Sequence, residues 1–138
     1  MHPSDSRHIS VLSSASPQDI YFYAREIAQL PTWASGLASG NLSLIDANSL
    51  HVDSPMGTVH VEFVAANNFG VLDHTVTLPD NTKVLNPFRI IAHPEGTELI
   101  FSVRQGDMST EDFEKDCAAV AADLFKLVSL VEEQHNTA

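Results

Sequence analysis

The C-terminal stretch from Ser109 to about Glu133 constrains the fold most, because it has the pattern of one long amphipathic helix. Ser109 is a favourable N-cap, and Asp112 three residues later can complete a capping box. Apolar residues recur at three- and four-residue steps along one stripe: Phe113, Cys117, Val120, Leu124, Leu127, Val128 and Val131. Ala121 and Phe125 widen this stripe to about half of the circumference, at roughly 100° per residue. A helix on the order of 36 Å long therefore needs a large apolar partner surface.

The chain before this helix supplies such a surface, because apolar and polar residues alternate there with a period of two. The connections are short and carry turn residues, which favours antiparallel hairpins. The six predicted strands are Asn41–Ile45, Leu50–Asp53, Thr58–Ala65, Gly70–Leu78, Val84–His93 and Thr97–Arg104.

The N-terminal part adds a strand and two helices. Residues 1–7 are predicted to form a flexible tail, and the first strand covers His8–Ser13. Ser16 as the cap and Pro17 in the first turn predict the start of a helix, which is expected to end at Pro31.

A short second helix is predicted over Thr32–Ser35, and Gly36 is expected to stop it. Trp33 lies within it and is expected to anchor the core. The sequence thus predicts one α+β domain over residues 8–138. Its seven-stranded curved antiparallel sheet wraps the long C-terminal helix, and two short helices separate the first and second strands.

Turn positions predict the register of the sheet. The predicted opposed pairs are Phe63 with Leu72, His74 with Phe88, and Phe88 with Phe101. All three turns place the same residues on the inner face: Val61, Phe63, Leu72, His74, Val76, Phe88, Ile90 and Phe101. The opposite face carries His60, Glu62, Asp73, Thr75, Arg89, Glu98 and Arg104. A one-residue slip in any turn would destroy this agreement.

Charge and composition exclude several classes of partner. Seven Lys and Arg against eighteen Asp and Glu give a net charge of −11. Nucleic acid and anionic membranes require a basic surface, so neither is expected as a partner. No stretch approaches the roughly 20 apolar residues of a membrane span, and residues 1–7 lack the apolar core of a signal peptide. A cytoplasmic location is expected, and Cys117, which cannot form an internal disulfide, is predicted to be a core residue.

Three stretches carry a resemblance to a known superfamily: Leu30–Leu37 (LPTWASGL), Gly70–His74 (GVLDH) and Asp123–Leu127 (DLFKL). From His8 onward the chain resembles the helix-grip fold of the SRPBCC or START-like superfamily, which includes polyketide cyclase-like proteins, and in particular its small bacterial members. The resemblance implies an apolar cavity between sheet and helix that holds a lipid, a polyketide or another hydrophobic small molecule.

The ligand-lining residues expected from this comparison come from the inner face and the helix stripe. They are Val61, Phe63, Leu72, His74, Val76, Phe88, Ile90, Phe101, Val120, Leu124 and Val128. No HExxH, paired CxxC, GxGxxG, P-loop or GxSxG motif occurs, so neither a metal nor another cofactor is expected.

His74 is the candidate for chemistry, because it is a titratable residue on an otherwise apolar face. An apolar environment would keep its imidazole neutral near pH 7. It could then act as a general base, orient a ligand, or be a core histidine with a backbone or water partner. Asp73 points to the opposite face and is expected to pair with Arg89 across the hairpin.

Two other constellations are weaker. Asp116 and Asp123 lie on one flank of the long helix, where they could form an acid–base pair or a solvated rim. His51 and His60 are predicted to face each other on the outer face beside acidic neighbours. They lack a third well-placed ligand, so no more than adventitious metal binding is expected.

Three hypotheses of function follow. The first is binding of an unidentified hydrophobic small molecule between sheet and helix, with His74 as its main polar contact. The second is an enzyme of the polyketide cyclase or aromatase type, with His74 as general base. The third is a ligand-free interaction module that forms a homodimer, which a cavity closed by Phe63, Phe88 and Phe101 would favour.

Overall fold

The computed structural model describes residues 5–34 and 40–136. The strands are β1 (Ser6–Ser13), β2 (Leu42–Leu44), β3 (Ser49–Ser54), β4 (Gly57–Phe63), β5 (His74–Thr77), β6 (Lys83–Asn86), β7 (Phe88–His93) and β8 (Gly96–Arg104). The helices are α1 (Pro17–Arg25), a 3₁₀ turn (Ile27–Gln29), α2 (Leu30–Trp33) and α3 (Thr110–Asn136). The predicted element order and α+β class are confirmed.

The strands form two antiparallel sheets, β1-β8-β7 and β2-β3-β4-β5-β6. The predicted strand Val84–His93 is interrupted at Pro87, so the described chain contains eight strands rather than seven. Proline has no N–H to donate to a ladder, which explains the break. Residues 70–72 link the two sheets, because Leu72 N donates to Phe88 O at 2.8 Å and Ile90 N donates to Gly70 O at 2.9 Å.

The predicted register is correct at one turn and shifted at two. Phe88 lies opposite Phe101, as expected. Phe63 lies opposite His74 rather than Leu72, and His74 lies opposite Asn86 rather than Phe88. Both shifts are two residues, so every side chain keeps its predicted face.

Local side-chain bonding explains the first shift. The Asn67 amide oxygen accepts hydrogen bonds from the backbone N–H groups of Phe69 and Val71, at 2.9 and 3.2 Å. Its amide nitrogen donates to the carbonyls of Ala65 and Val71. This connection is therefore an ordered loop and not a tight hairpin, and β5 begins at His74 rather than at Gly70.

The second shift arises in the turn between β5 and β6. Leu78 N donates to Thr82 O, and Asn81 N donates back to Leu78 O. Asn81 adopts a left-handed backbone conformation with φ of 71°, which asparagine tolerates better than most residues. The turn is thereby centred one residue earlier than the sequence predicts.

The first helix starts as predicted, since Asp19 N donates to Ser16 Oγ at 3.2 Å. Its predicted end is wrong, because α1 stops at Arg25 and Glu26 adopts an extended conformation. Pro31 lies in the first turn of α2 instead of ending α1, a position where its missing N–H costs nothing. Residues 35 and 36, on which the predicted end of the second helix rests, lie outside the described residues.

The long helix begins after Ser109, whose Oγ accepts a hydrogen bond from Asp112 N at 3.1 Å. The predicted stripe is buried at Phe113, Cys117, Leu124, Leu127, Val128 and Val131, and half-buried at Val120. Phe125 is 60% exposed, so its place in the stripe is wrong. At about 100° from Leu124 around the helix it lies beyond the buried flank. The α3 backbone comes close to β1, β8, α1 and α2.

Candidate functional site

The candidate site is the interior between the concave sheet face and α3. Nine of the eleven predicted lining residues are buried there: Val61, Phe63, Leu72, His74, Val76, Phe88, Ile90, Leu124 and Val128. Phe101 and Val120 are half-buried and pack against the same cluster. The structure therefore brings all eleven together in one apolar core.

A connected series of aromatic rings crosses this interior. Phe63 lies 4.7 Å from His74 between ring centroids, and His74 lies 5.8 Å from Phe101. Phe101 contacts Phe88 at 5.3 Å, and Phe88 contacts Trp33 on α2 at 6.1 Å. Tilted and edge-on arrangements at such distances are favourable aromatic contacts. The rings thus connect β4 to α2 across the concave face.

His74 is 4% exposed and has protein partners at both ring nitrogens. Nδ1 lies 3.0 Å from Leu72 O. Since a carbonyl oxygen can only accept, Nδ1 carries the hydrogen and Nε2 is the acceptor. Nε2 lies 3.5 Å from Asn86 Nδ2, which is long for a hydrogen bond. The bond to Leu72 agrees with a core histidine held by the backbone, and the long contact leaves Nε2 only weakly satisfied.

Burial lowers the pKa of His74, while the bond to Leu72 and the nearby Asp73 charge oppose this effect. The unfolded chain therefore binds a proton at higher pH than the folded chain does. The contribution of neutral His74 to the free energy of unfolding is fully present above the ordinary histidine pKa of about 6.5. It falls as the pH drops below that value. For one proton the slope is at most about 1.4 kcal/mol per pH unit.

We expect His74→Phe to remove this contribution to the pH dependence of stability. Urea denaturation between pH 7.5 and 5 should show a smaller loss of unfolding free energy for His74→Phe than for wild type. His60→Phe, on the outer face, is the matched control for replacing a histidine by phenylalanine. An unchanged slope in His74→Phe would contradict the burial argument.

Two side-chain donors within the described residues are buried without a hydrogen-bond partner: Trp33 Nε1 and Arg25 Nε. Trp33 is only 5% exposed. The other Arg25 nitrogens donate to Ala47 O and to the Asn48 side chain, and its guanidinium lies over the Phe63 ring. A buried donor left unpaired costs about 1–3 kcal/mol, so each such atom needs an explanation.

The predicted core position of Trp33 is confirmed, whereas its unpaired N–H was not predicted. The available signal was chemical: a buried indole N–H usually finds a partner, yet the residues around Trp33 in the sequence are mostly apolar. The unpaired Arg25 Nε was not predicted either. Arg25 is the last residue of α1, and a basic residue in the last turn is common at helix C-termini.

The predicted outer-face ion pair is confirmed. Arg89 Nε and Nη2 donate to the two Asp73 carboxylate oxygens at 2.9 and 2.8 Å, and Phe88 N also donates to Asp73. The hydrogen bonds from Arg89, more than the one from Phe88, hold the pKa of the Asp73 carboxyl below its usual value. Asp73 thus joins the start of β5 to β7 through hydrogen bonds, on the face opposite to His74.

The other constellations stay outside the interior. Asp116 is exposed and Asp123 half-buried on the α3 flank. His51 and His60 do face each other, with ring centroids 5.3 Å apart. No group of three His, Cys, Asp or Glu side chains in residues 5–34 and 40–136 is placed to hold a metal ion. Cys117 is buried, as predicted.

Two clefts open on the surface away from the concave face. One, of about 470 Å³, lies between α1 and the end of α3 and is lined by residues such as Asp19, Phe22 and His135. The other, of about 180 Å³, lies at β2 and β3 beside His51 and Asp53.

No described helix is sufficiently long and apolar to cross a membrane.

Comparison with known proteins identifies the fold. No protein-family model and no curated protein sequence matches the chain. Among solved structures, protein MLL2253 from Mesorhizobium loti is similar at a TM-score of 0.70 and 12% identity, over 94% of this chain and 98% of its own. Truncated norcoclaurine synthase from Thalictrum flavum is similar at a TM-score of 0.64 and 13% identity, over 95% and 96% of the two chains.

DynU16, a protein of the dynemicin biosynthetic locus, is similar at a TM-score of 0.71 and 16% identity. The match covers 94% of this chain and 48% of DynU16, so this chain spans about half of that protein. DynU16 and norcoclaurine synthase are helix-grip proteins of the SRPBCC or START-like superfamily. The chain has the helix-grip fold, and the predicted resemblance is confirmed at that level. Sequence identities this low establish the fold and not the activity.

Proposed function

We propose that this chain binds an apolar small molecule with a polar group in the interior between the concave sheet face and α3. The observation that carries the proposal is His74, a buried polar side chain among aromatic rings whose Nε2 has only a 3.5 Å contact to Asn86. Ligand sites typically combine an apolar lining with a few polar groups that set orientation. The proposed lining is the set of eleven inner-face and helix-stripe residues given above.

The closely packed rings have a consequence for how a ligand would enter. Phe63, Phe88 and Phe101 contact one another directly or through His74, so a ligand has to displace ring contacts. Packing of this kind also suits the homodimeric interaction module, which stays a prediction. Native mass spectrometry of the purified protein would detect both a retained small molecule and a dimer.

We expect two matched probes, 1-ethylnaphthalene and 2-(1-naphthyl)ethanol, to bind wild type. The alcohol can donate a hydrogen bond to His74 Nε2, whereas the hydrocarbon cannot. His74→Phe should therefore weaken the alcohol about 3- to 10-fold, the value of one hydrogen bond, and leave the hydrocarbon unchanged. Isothermal titration calorimetry measures both affinities, with His60→Phe as the control.

The outcomes separate the hypotheses. If neither probe binds wild type, the binding proposal fails and the interaction module replaces it. If both bind and His74→Phe changes neither affinity, the site stands but His74 is structural. The cyclase-type hypothesis would then lose its candidate base. That hypothesis stays a prediction, and so does a cytoplasmic location.

A further inference from the structure

The interior has an unmet requirement for a hydrogen-bond acceptor. The two buried side-chain atoms without partners in the described part of the chain are both donors, Trp33 Nε1 and Arg25 Nε. An indole nitrogen can only donate, and a guanidinium cannot accept. No rearrangement that pairs these two groups with each other can satisfy them. Any group that satisfies them has to bring an acceptor.

Among the described residues, no group accepts a hydrogen bond from Trp33 Nε1. The indole ring packs against the Phe88 ring, and its neighbours in the same core cluster include the buried Leu30 and Ala34. A buried water normally needs two to four polar partners. A water accepting from Trp33 would need such further partners, whereas a ligand oxygen carried on an apolar body would not.

We infer that the interior selects apolar ligands with a neutral carbonyl oxygen, which accepts a hydrogen bond from Trp33 Nε1. This inference rests on the proposed function and adds the chemical class of the ligand. At Trp33 a carboxylate is a poorer candidate than a neutral carbonyl, because desolvation of a charge is costly and the indole supplies only one neutral donor. The guanidinium of Arg25 already donates to Ala47 O and to the Asn48 side chain.

The assignment makes Trp33 a specificity-determining residue, with a role distinct from that of His74. A ketone accepts but cannot donate, so it can use Trp33 Nε1 but not the acceptor Nε2 of His74. A ketone and a hydrocarbon of similar size therefore isolate the contribution of Trp33.

The test uses 1-acetylnaphthalene and 1-ethylnaphthalene with the ¹⁵N-labelled chain. Trp33 is the only tryptophan, so the protein has one indole ¹H–¹⁵N signal. We expect the ketone to bind about 10-fold more tightly than the hydrocarbon, because it satisfies a buried donor. The ketone should move the indole proton downfield, while the hydrocarbon should not.

Trp33→Phe removes the N–H and keeps an aromatic ring, so it should bind both probes with equal affinity. His60→Phe, on the outer face, is the control and should keep the ketone preference. The wild-type indole signal remains informative even if Trp33→Phe does not fold.

Equal affinity of both probes for wild type, or an indole signal unmoved by bound ketone, would overturn the inference and leave the proposed function standing. A ketone preference that survives in Trp33→Phe would overturn it as well. If neither probe binds, the proposed function fails and the inference fails with it.

Discussion

Replacing Trp33 with alanine is expected to lower the free energy of unfolding by about 3–5 kcal/mol, the usual cost of truncating a large buried aromatic side chain. Trp33 is 5% exposed and contacts Phe88, which is fully buried. Its loss removes one end of the aromatic series and one of the two buried residues of the four-residue helix α2. Urea denaturation followed by far-UV circular dichroism measures the change.

Phe69→Ala is the control for that experiment, because Phe69 is 83% exposed. Its unfolding free energy should stay within about 0.5 kcal/mol of wild type. A loss of under about 1 kcal/mol in Trp33→Ala would mean that α2 is not held by the core.

Leu124→Ala is expected to destabilise the protein by about 2–5 kcal/mol, if α3 packs tightly against the sheet. Leu124 is 1% exposed at the middle of the buried stripe. The cost combines lost burial with the cavity left behind, so it depends on how closely the surrounding side chains enclose Leu124. Chemical denaturation again gives the value.

The adjacent residue supplies the matched control. Phe125 is 60% exposed, and Phe125→Ala should change stability by no more than about 0.5 kcal/mol. A loss for Leu124→Ala well below 2 kcal/mol would indicate that Leu124 borders open space, which would favour a ligand cavity there. No loss at all would mean that α3 does not pack as the structure describes.

The two polar groups of the interior differ in what they can tell about function. His74 has a firm bond to Leu72 and only one weakly used nitrogen, so a structural role accounts for much of its geometry. Trp33 Nε1 has no partner among the described residues, so structure alone does not account for it. The indole is therefore the sharper probe of whether a ligand occupies the interior.

Local patterns in the sequence were sufficient for the face of each strand and for the long helix. Alternation placed Val61, Leu72 and His74 on the inner face, and that parity survives because both register errors are even. The helix stripe and the Ser109 cap follow from three- and four-residue spacing. These features depend on residues close in the chain, where geometry is regular.

The tertiary structure decided what depends on bonds between distant or irregular segments. The loop that displaced β5 is joined to α1 by a hydrogen bond from Asn67 N to Tyr21 Oη at 3.0 Å, and the chain on the two sides of Pro87 pairs in different sheets. The unpaired Trp33 N–H depends on which groups the fold brings around the indole, and spacing along the chain does not encode that. Periodicity determines which way a side chain faces, whereas its hydrogen-bond partners are determined only when the whole chain has packed.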